Sequence, residues 1–82
     1  MKYYFDIQLD LHGYTVDEAL PKLEELLFSE SDQSILIIHG KGSGRLKESV
    51  RGFVCHCNFI KGYDFGESLN LPGGDGVIVV YT

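Results

Sequence analysis

The stretch ILIIHGKGSGRLKESVRGF, residues 35–53, decides the reading of this chain. It opens on four branched apolar residues, and with Ser34 they make a strand, SILII (34–38), that is apolar throughout and so belongs at the centre of a sheet. His39 follows, and then three glycines, Gly40, Gly42 and Gly44, within five positions, with Lys41 among them. Beyond them the apolar period becomes 3.6. Leu46, Val50, Phe53, Val54 and Cys57 share one face of a helix that starts near Ser43. Cys55 falls on the other side with Glu48 and Arg51, and His56 on the flank. A glycine loop between a buried strand and a basic helix either turns a corner or holds an anion. Backbone donors can approach closely there, and the helix presents the positive end of its dipole.

On the amino-terminal side, IQLDL (7–11) alternates strictly, Ile7, Leu9 and Leu11 against Gln8 and Asp10, which predicts a strand with one buried face. His12-Gly13-Tyr14 turns the chain. Thr15 to Glu18 is a capping box that opens a helix with Val16, Ala19, Leu20, Leu23, Leu26 and Leu27 as its apolar stripe. Pro21 lies past the first turn, removes a backbone donor and should bend this helix.

On the carboxyl side, Phe59 to Glu67 reads as a third strand with Tyr63 and Phe65 as its aromatics, Ser68 to Asp75 as a loop, and GVIVVYT (76–82) as a last buried strand. The order is β-α-β-α-β-β. Right-handed crossovers put both helices on one face of a mixed four-stranded sheet. The expected fold is a two-layer α/β sandwich with its opposite face at least partly open, in one domain spanning 1–82.

Composition narrows the function classes. With 82 residues and 44% of them hydrophobic, the chain can bury one modest core. No run approaches the ~20 apolar residues of a spanning helix. Asp6 and Asp10 interrupt the segment where a secretory signal needs an apolar stretch, so a cytoplasmic location and no membrane partner are expected. Cys55 and Cys57, two apart in a helix, diverge by roughly 200° and cannot bridge each other. CHC (55–57) likewise fans out and cannot converge on one zinc.

The net charge of −5 argues against nucleic acid until it is mapped. From Lys41 to Lys61 five basic residues (Lys41, Arg45, Lys47, Arg51, Lys61) face one acid, Glu48, a net +4, while the remainder of the chain carries −9. A basic run that starts in a glycine loop is a candidate anion site.

The parallel pairing expected of the first two strands brings Asp10, His12, His39 and the glycine loop to one sheet edge, where open parallel sheets bind ligands. GKGSG is not a Walker A loop, and Arg45 stands where G-x-G-x-x-G would end, so the loop alone is a weak signal. Two histidines and an aspartate at the same edge make a stronger one. Tyr3, Tyr4 and Phe5 are candidate base-stacking residues, although edge-strand packing explains them as well.

These motifs together, LDLHG (9–13) before a helix, IIHGKG (37–42), and GGDGVIVV (73–80), resemble the small MutS-related (Smr) domain family from about Leu9 to Val80. The resemblance implies the two-layer fold, similar to the carboxy-terminal domain of translation initiation factor three. It also implies nuclease activity on DNA or RNA, and the family name points toward DNA repair. By the same resemblance Asp10 and His12 match the first motif, His39, Gly40, Lys41 and Gly42 the second, and Gly73, Gly74 and Gly76 the third. Two departures stand out. Ile78 replaces the hydroxyl residue many members carry, and the basic extensions of larger members are missing.

The expected chemistry builds on these residues. His12 is the base, and Asp10 orients it or holds a metal. His39 is the acid or an oxyanion donor, and Lys41 with the backbone of residues 40–44 steadies phosphate charge, with Ser43, Arg45 and Lys47 as further binding residues. RNA cleavage through the 2′-hydroxyl needs no metal; DNA cleavage by water favours Mg²⁺ or Mn²⁺ on Asp10. Two other readings stand beside the nuclease. One is a binding module without catalysis, aided by a protein partner that supplies further surface. The other is a docking domain built on Tyr3, Tyr4 and Tyr81.

Overall fold

The computed structural model describes residues 4–82. Strands β1 (Ile7–Asp10), β2 (Ser34–Ile38), β3 (Gly62–Phe65) and β4 (Val77–Tyr81) alternate with helices α1 (Val16–Ser29) and α2 (Arg45–Cys55) in the order β1-α1-β2-α2-β3-β4. One 3₁₀ turn, Gly74–Gly76, precedes β4. The sheet order is β1-β2-β4-β3, with β1 parallel to β2 and β4 antiparallel to both β2 and β3.

Register explains the two kinds of strand. At the edge, β1 pairs Leu9 with Ile37 and turns Ile7 and Leu9 toward the helices, so it alternates. The inner strands β2 and β4 are covered on both faces and read as unbroken apolar runs. Ile35, Ile37, Ile78 and Val80 meet Ala19, Leu23 and Leu27 of α1 and Val50 and Val54 of α2, so both helices lie on one face. The other face is less open than its sequence implies. Leu71, 5% exposed, and Leu69 fold back from the β3–β4 connection onto Val77 and Val79. Burying one leucine in this way contributes about 2 kcal/mol.

The Thr15 capping box forms as expected, with the hydroxyl accepting from Glu18 N–H and the Glu18 carboxylate accepting from Thr15 N–H. Helix α1 runs unbroken through Pro21. Pro21 and Asp17, whose carbonyl loses its donor, are both exposed, so water can satisfy that group. Helix α2 ends earlier than its apolar period. Cys57 lies past the helix, where its N–H donates to Val54 O at 3.1 Å in a tightened turn, yet it still packs against the main core. Strand β3 is also shorter than the expected 59–67. Phe59, before it, turns to meet Phe28 edge-on, with ring centroids 5.6 Å apart.

Of the three tyrosines considered for docking, Tyr3 lies outside the described residues. Tyr4 is exposed, and the Tyr81 hydroxyl is committed to Asp64 at 2.9 Å. Among the described residues no helix is long and apolar enough to cross a membrane.

Candidate anion site at the sheet edge

Because β1 and β2 run in parallel, Asp10 pairs with Ile38, and the residues just beyond, His12 and His39, emerge at one edge. A cavity of about 390 Å³ opens there, lined by His12, Tyr14, His39 and the whole loop 40–44. A second hollow of about 360 Å³ adjoins it through Tyr14 and Ser43 and adds Arg45 and Asp17. Gly44 sits in the left-handed region (φ 88°) as the residue before α2 and offers no side chain to the helix's first N–H groups. The Arg45 N–H makes a long bond to Ser43 Oγ at 3.5 Å, and the next N–H groups of the first turn face the rim as donors for a ligand oxygen.

His12 and Asp10 form a pair at the mouth. His12 Nδ1 lies 2.5 Å from Asp10 Oδ1, and the same oxygen accepts the His12 backbone N–H at 3.1 Å. The second bond belongs to the turn itself, so Asp10 fixes both backbone and ring. The side chain hydrogen bond from His12, with its backbone bond, holds the Asp10 carboxyl below the usual carboxylate range. The His12 side chain is 71% exposed, and Nε2 bonds to nothing among the described residues.

His39 is placed quite differently. It is 2% exposed. Its Nδ1–H donates to Gly40 O at 2.7 Å, which leaves Nε2 to accept from Arg51 Nε–H at 3.1 Å. Burial pushes its pKa down, with the nearby Arg51 charge acting the same way, against the Gly40 bond. With its one N–H committed to Gly40 O and Nε2 accepting from Arg51, His39 has no free N–H to offer. The expected acid or oxyanion role does not match this geometry.

Arg51, which the helical period turns away from the core, is the hub of this region. Its side chain is 12% exposed and lies over the Phe65 ring, 4.4 Å from the centroid. It makes two 2.7 Å bonds to the Glu67 carboxylate and donates to Asp75 O and Val77 O. The bidentate bond holds the Glu67 carboxyl down to about 2.

The third glycine motif does not line the cavity. Gly73 caps the 3₁₀ turn and Gly74 begins it. Buried Gly76 offers its carbonyl to the N–H groups of His39 and Gly40 at 3.0 and 2.9 Å. Gly76 thus fastens the start of the 40–44 loop from behind.

Most of the basic run is already paired. Lys41 and Lys47 share Asp75 at 3.2 and 3.3 Å, Arg51 holds Glu67, and Lys61 pairs with Asp32 near the opposite end of the sheet. Arg45 alone of the five has no carboxylate partner among the described residues. The Lys41 and Lys47 bonds hold the Asp75 carboxyl below its ordinary value. No group of three or more His, Cys, Asp or Glu among the described residues is arranged to hold a metal ion. Asp10 has one oxygen committed to His12, so these side chains do not by themselves build a chelating site for Mg²⁺ or Mn²⁺.

Reading the sequence missed Arg51, Glu67, Asp75 and the close packing at Gly66. One signal was present: an acidic residue inside GGDG is out of place in an anion-binding loop, and implies an internal cation for it.

The Smr domain family model matches residues 9–82. The endonuclease MutS2 of Geobacillus kaustophilus is 36% identical over 84 residues, covering 94% of this chain and 10% of that protein. The putative endonuclease MutS2 of Bacillus subtilis is 35% identical over 85 residues, with 95% and 10% coverage. The chain thus spans about a tenth of the length of the curated relatives it matches. Among solved structures, the Smr domain of Thermus thermophilus MutS2 superposes with a TM-score of 0.71 at 29% identity, covering 90% of this chain and 94% of that one.

Proposed function

The chain belongs to the Smr domain family, and from that premise we propose that it cleaves phosphodiester bonds of DNA or RNA at the edge formed by Asp10, His12 and the loop 40–44. The observation that carries this reading is the Asp10–His12 pair. A carboxylate on Nδ1 orients the ring and leaves Nε2, at a cavity mouth, free to accept a proton from the nucleophile.

On RNA, Nε2 takes the 2′-hydroxyl proton as that oxygen bonds to phosphorus, the 5′-oxygen leaves, and water supplies its proton. On DNA, a water takes the place of the 2′-hydroxyl. In both, Lys41 and the N–H groups of the loop and the first turn of α2 meet the charge that grows on the phosphate oxygens. His39 is a positioning residue in this scheme, joining the loop to Arg51. Mg²⁺ or Mn²⁺, when bound, would supply Lewis-acid assistance at the phosphate.

The occupied nitrogens of His39 and the paired lysines favour a second reading, a nucleic-acid-binding module without catalysis. The two separate on labelled supercoiled DNA and structured RNA, incubated with EDTA, Mg²⁺ or Mn²⁺, wild type beside His12→Ala. Cleavage that disappears in the variant supports the nuclease. Binding without cleavage by a folded wild type supports the module.

A further inference from the structure

Asp75 lies between Lys41 and Lys47, with one carboxylate oxygen on each ammonium: Oδ1 to Lys41 at 3.2 Å and Oδ2 to Lys47 at 3.3 Å. Two oxygens on one centre, each meeting a separate cation, is also the arrangement of the two non-bridging oxygens of a phosphodiester. We propose that Lys41 and Lys47 are the paired seat of one phosphate group, and that Asp75 occupies it in the free protein as an internal stand-in that an incoming phosphate displaces. This rests on the reading of the edge as a nucleic-acid site and adds where a phosphate sits and what sets its affinity.

Three observations carry the inference. Lys41 lines the cavity next to His12, so its ammonium is within reach of a ligand there, and its side chain is 68% exposed. The Asp75 carboxylate is 46% exposed and can swing to solvent when replaced. Its backbone, by contrast, is fastened independently of the lysines. Asp75 O accepts from Arg51 Nη2 at 3.2 Å, and the adjoining Gly76 O accepts from His39 and Gly40 N–H. The carboxylate is therefore not needed to hold the turn, and its pairs, one with exposed Lys41 and one with partly buried Lys47, are weak enough to exchange.

The stand-in has a consequence for selectivity. Weak anions do not displace a carboxylate held by two cations at no cost in chain entropy, whereas a phosphate that also gains the loop N–H groups does. Nucleic acid is then retained only when its backbone reaches both the lysines and the loop.

The test compares wild type with Asp75→Asn, which keeps the shape and removes the charge, using two probes: inorganic phosphate, and a fluorescent single-stranded oligonucleotide. NMR amide shifts report phosphate binding and confirm the fold; anisotropy reports the oligonucleotide. Asp75→Asn is expected to bind both about three- to tenfold more tightly, the equivalent of losing two competing surface-type pairs. Lys41→Ala in the same background should abolish the gain. Tighter phosphate with no oligonucleotide binding by either protein would support the stand-in and overturn the nucleic-acid reading. Unchanged or weaker phosphate binding in Asp75→Asn would overturn the stand-in. A measurement on the unmodified protein guards against a misfolded variant: saturating phosphate should raise the Asp75 carboxyl pKa, read from its own side-chain carbon signal. A titration curve indifferent to phosphate sinks the proposal.

Discussion

His12 and His39 leave the same sheet edge from neighbouring strands, and they have opposite fates. His12 stands in solvent with one nitrogen held by Asp10 and the other open, whereas His39 is buried with both nitrogens engaged. The course of the chain after each strand makes the difference. After β1 it turns away through Gly13 and leaves a mouth. After β2, α2 brings Arg51 back so that its Nε–H donates to His39 Nε2. The same residue type thus serves an open corner suited to chemistry and a closed hub suited to holding the loop in place. On the proposed function, chemistry and architecture are divided between them, so substitutions in the two regions should separate activity from stability.

The largest effect is expected at the open corner. His12→Ala should lower cleavage by about 10²- to 10⁴-fold, the range for losing a positioned general base, with thermal stability within about 0.5 kcal/mol of wild type, as for an exposed side chain. Arg51→Met should do the reverse, costing about 3 kcal/mol in chemical denaturation. That is the low end for leaving a buried pair without its partner, since Glu67 is open to water on one side. If the histidine variant unfolds and the arginine variant does not, the division fails.

Glycines sharpen the same contrast. A Cβ at Gly66 would lie 2.3 Å from Gly74 O and 2.3 Å from Val77 Cγ2, under the closed hub, where backbone must move to make room. Gly66→Ala should cost about 2–3 kcal/mol by overpacking. At Gly42 nothing lies within 4 Å and only the positive φ of 36° resists a side chain. Gly42→Ala should cost about 1 kcal/mol in stability, and its larger effect should appear in phosphate affinity. Equal losses of stability at the two positions would mean that the loop is as tightly packed as the hub.

How much of this was legible depends on what determines each feature. The strands, the capped helix, the sheet order class and the meeting of Asp10, His12 and the glycine loop at one edge all rest on periods and short-range signals that the chain carries locally. The resemblance of three motifs to a known family added the fold by another route. The hub was not legible, because it depends on pairs distant in sequence, Arg51 with Glu67 and Val77, and Lys47 with Asp75. Helical period alone turns Arg51 outward. It is the return of the 66–77 connection over α2 that encloses it, and no local pattern encodes that return. The same connection carries Leu69 and Leu71 onto the sheet face expected to be partly open. Charge counting misled for a related reason: a net +4 segment is an anion site only to the extent that its cations lack internal partners.

The smallest expected effect is in pH, and its upper stage arises in the hub. His39 is held below its ordinary value of 6.5, chiefly by burial. Between the lowered native value and 6.5 the unfolded chain binds a proton that the native chain does not, so stability rises with pH across that window. Its contribution is complete above 6.5 and is lost as pH falls. Glu67 acts in the same direction lower down. Its contribution is complete above the ordinary 4.5 and is lost as pH falls toward about 2, where the Arg51 pair is broken. Melting temperature should therefore fall in two stages on acidification. His39→Gln keeps an acceptor for Arg51 Nε–H and carries no titrating group, so it should remove the upper stage and leave the lower one. An upper stage that persists in His39→Gln would assign it to another group, and the line between open corner and closed hub would have to be redrawn.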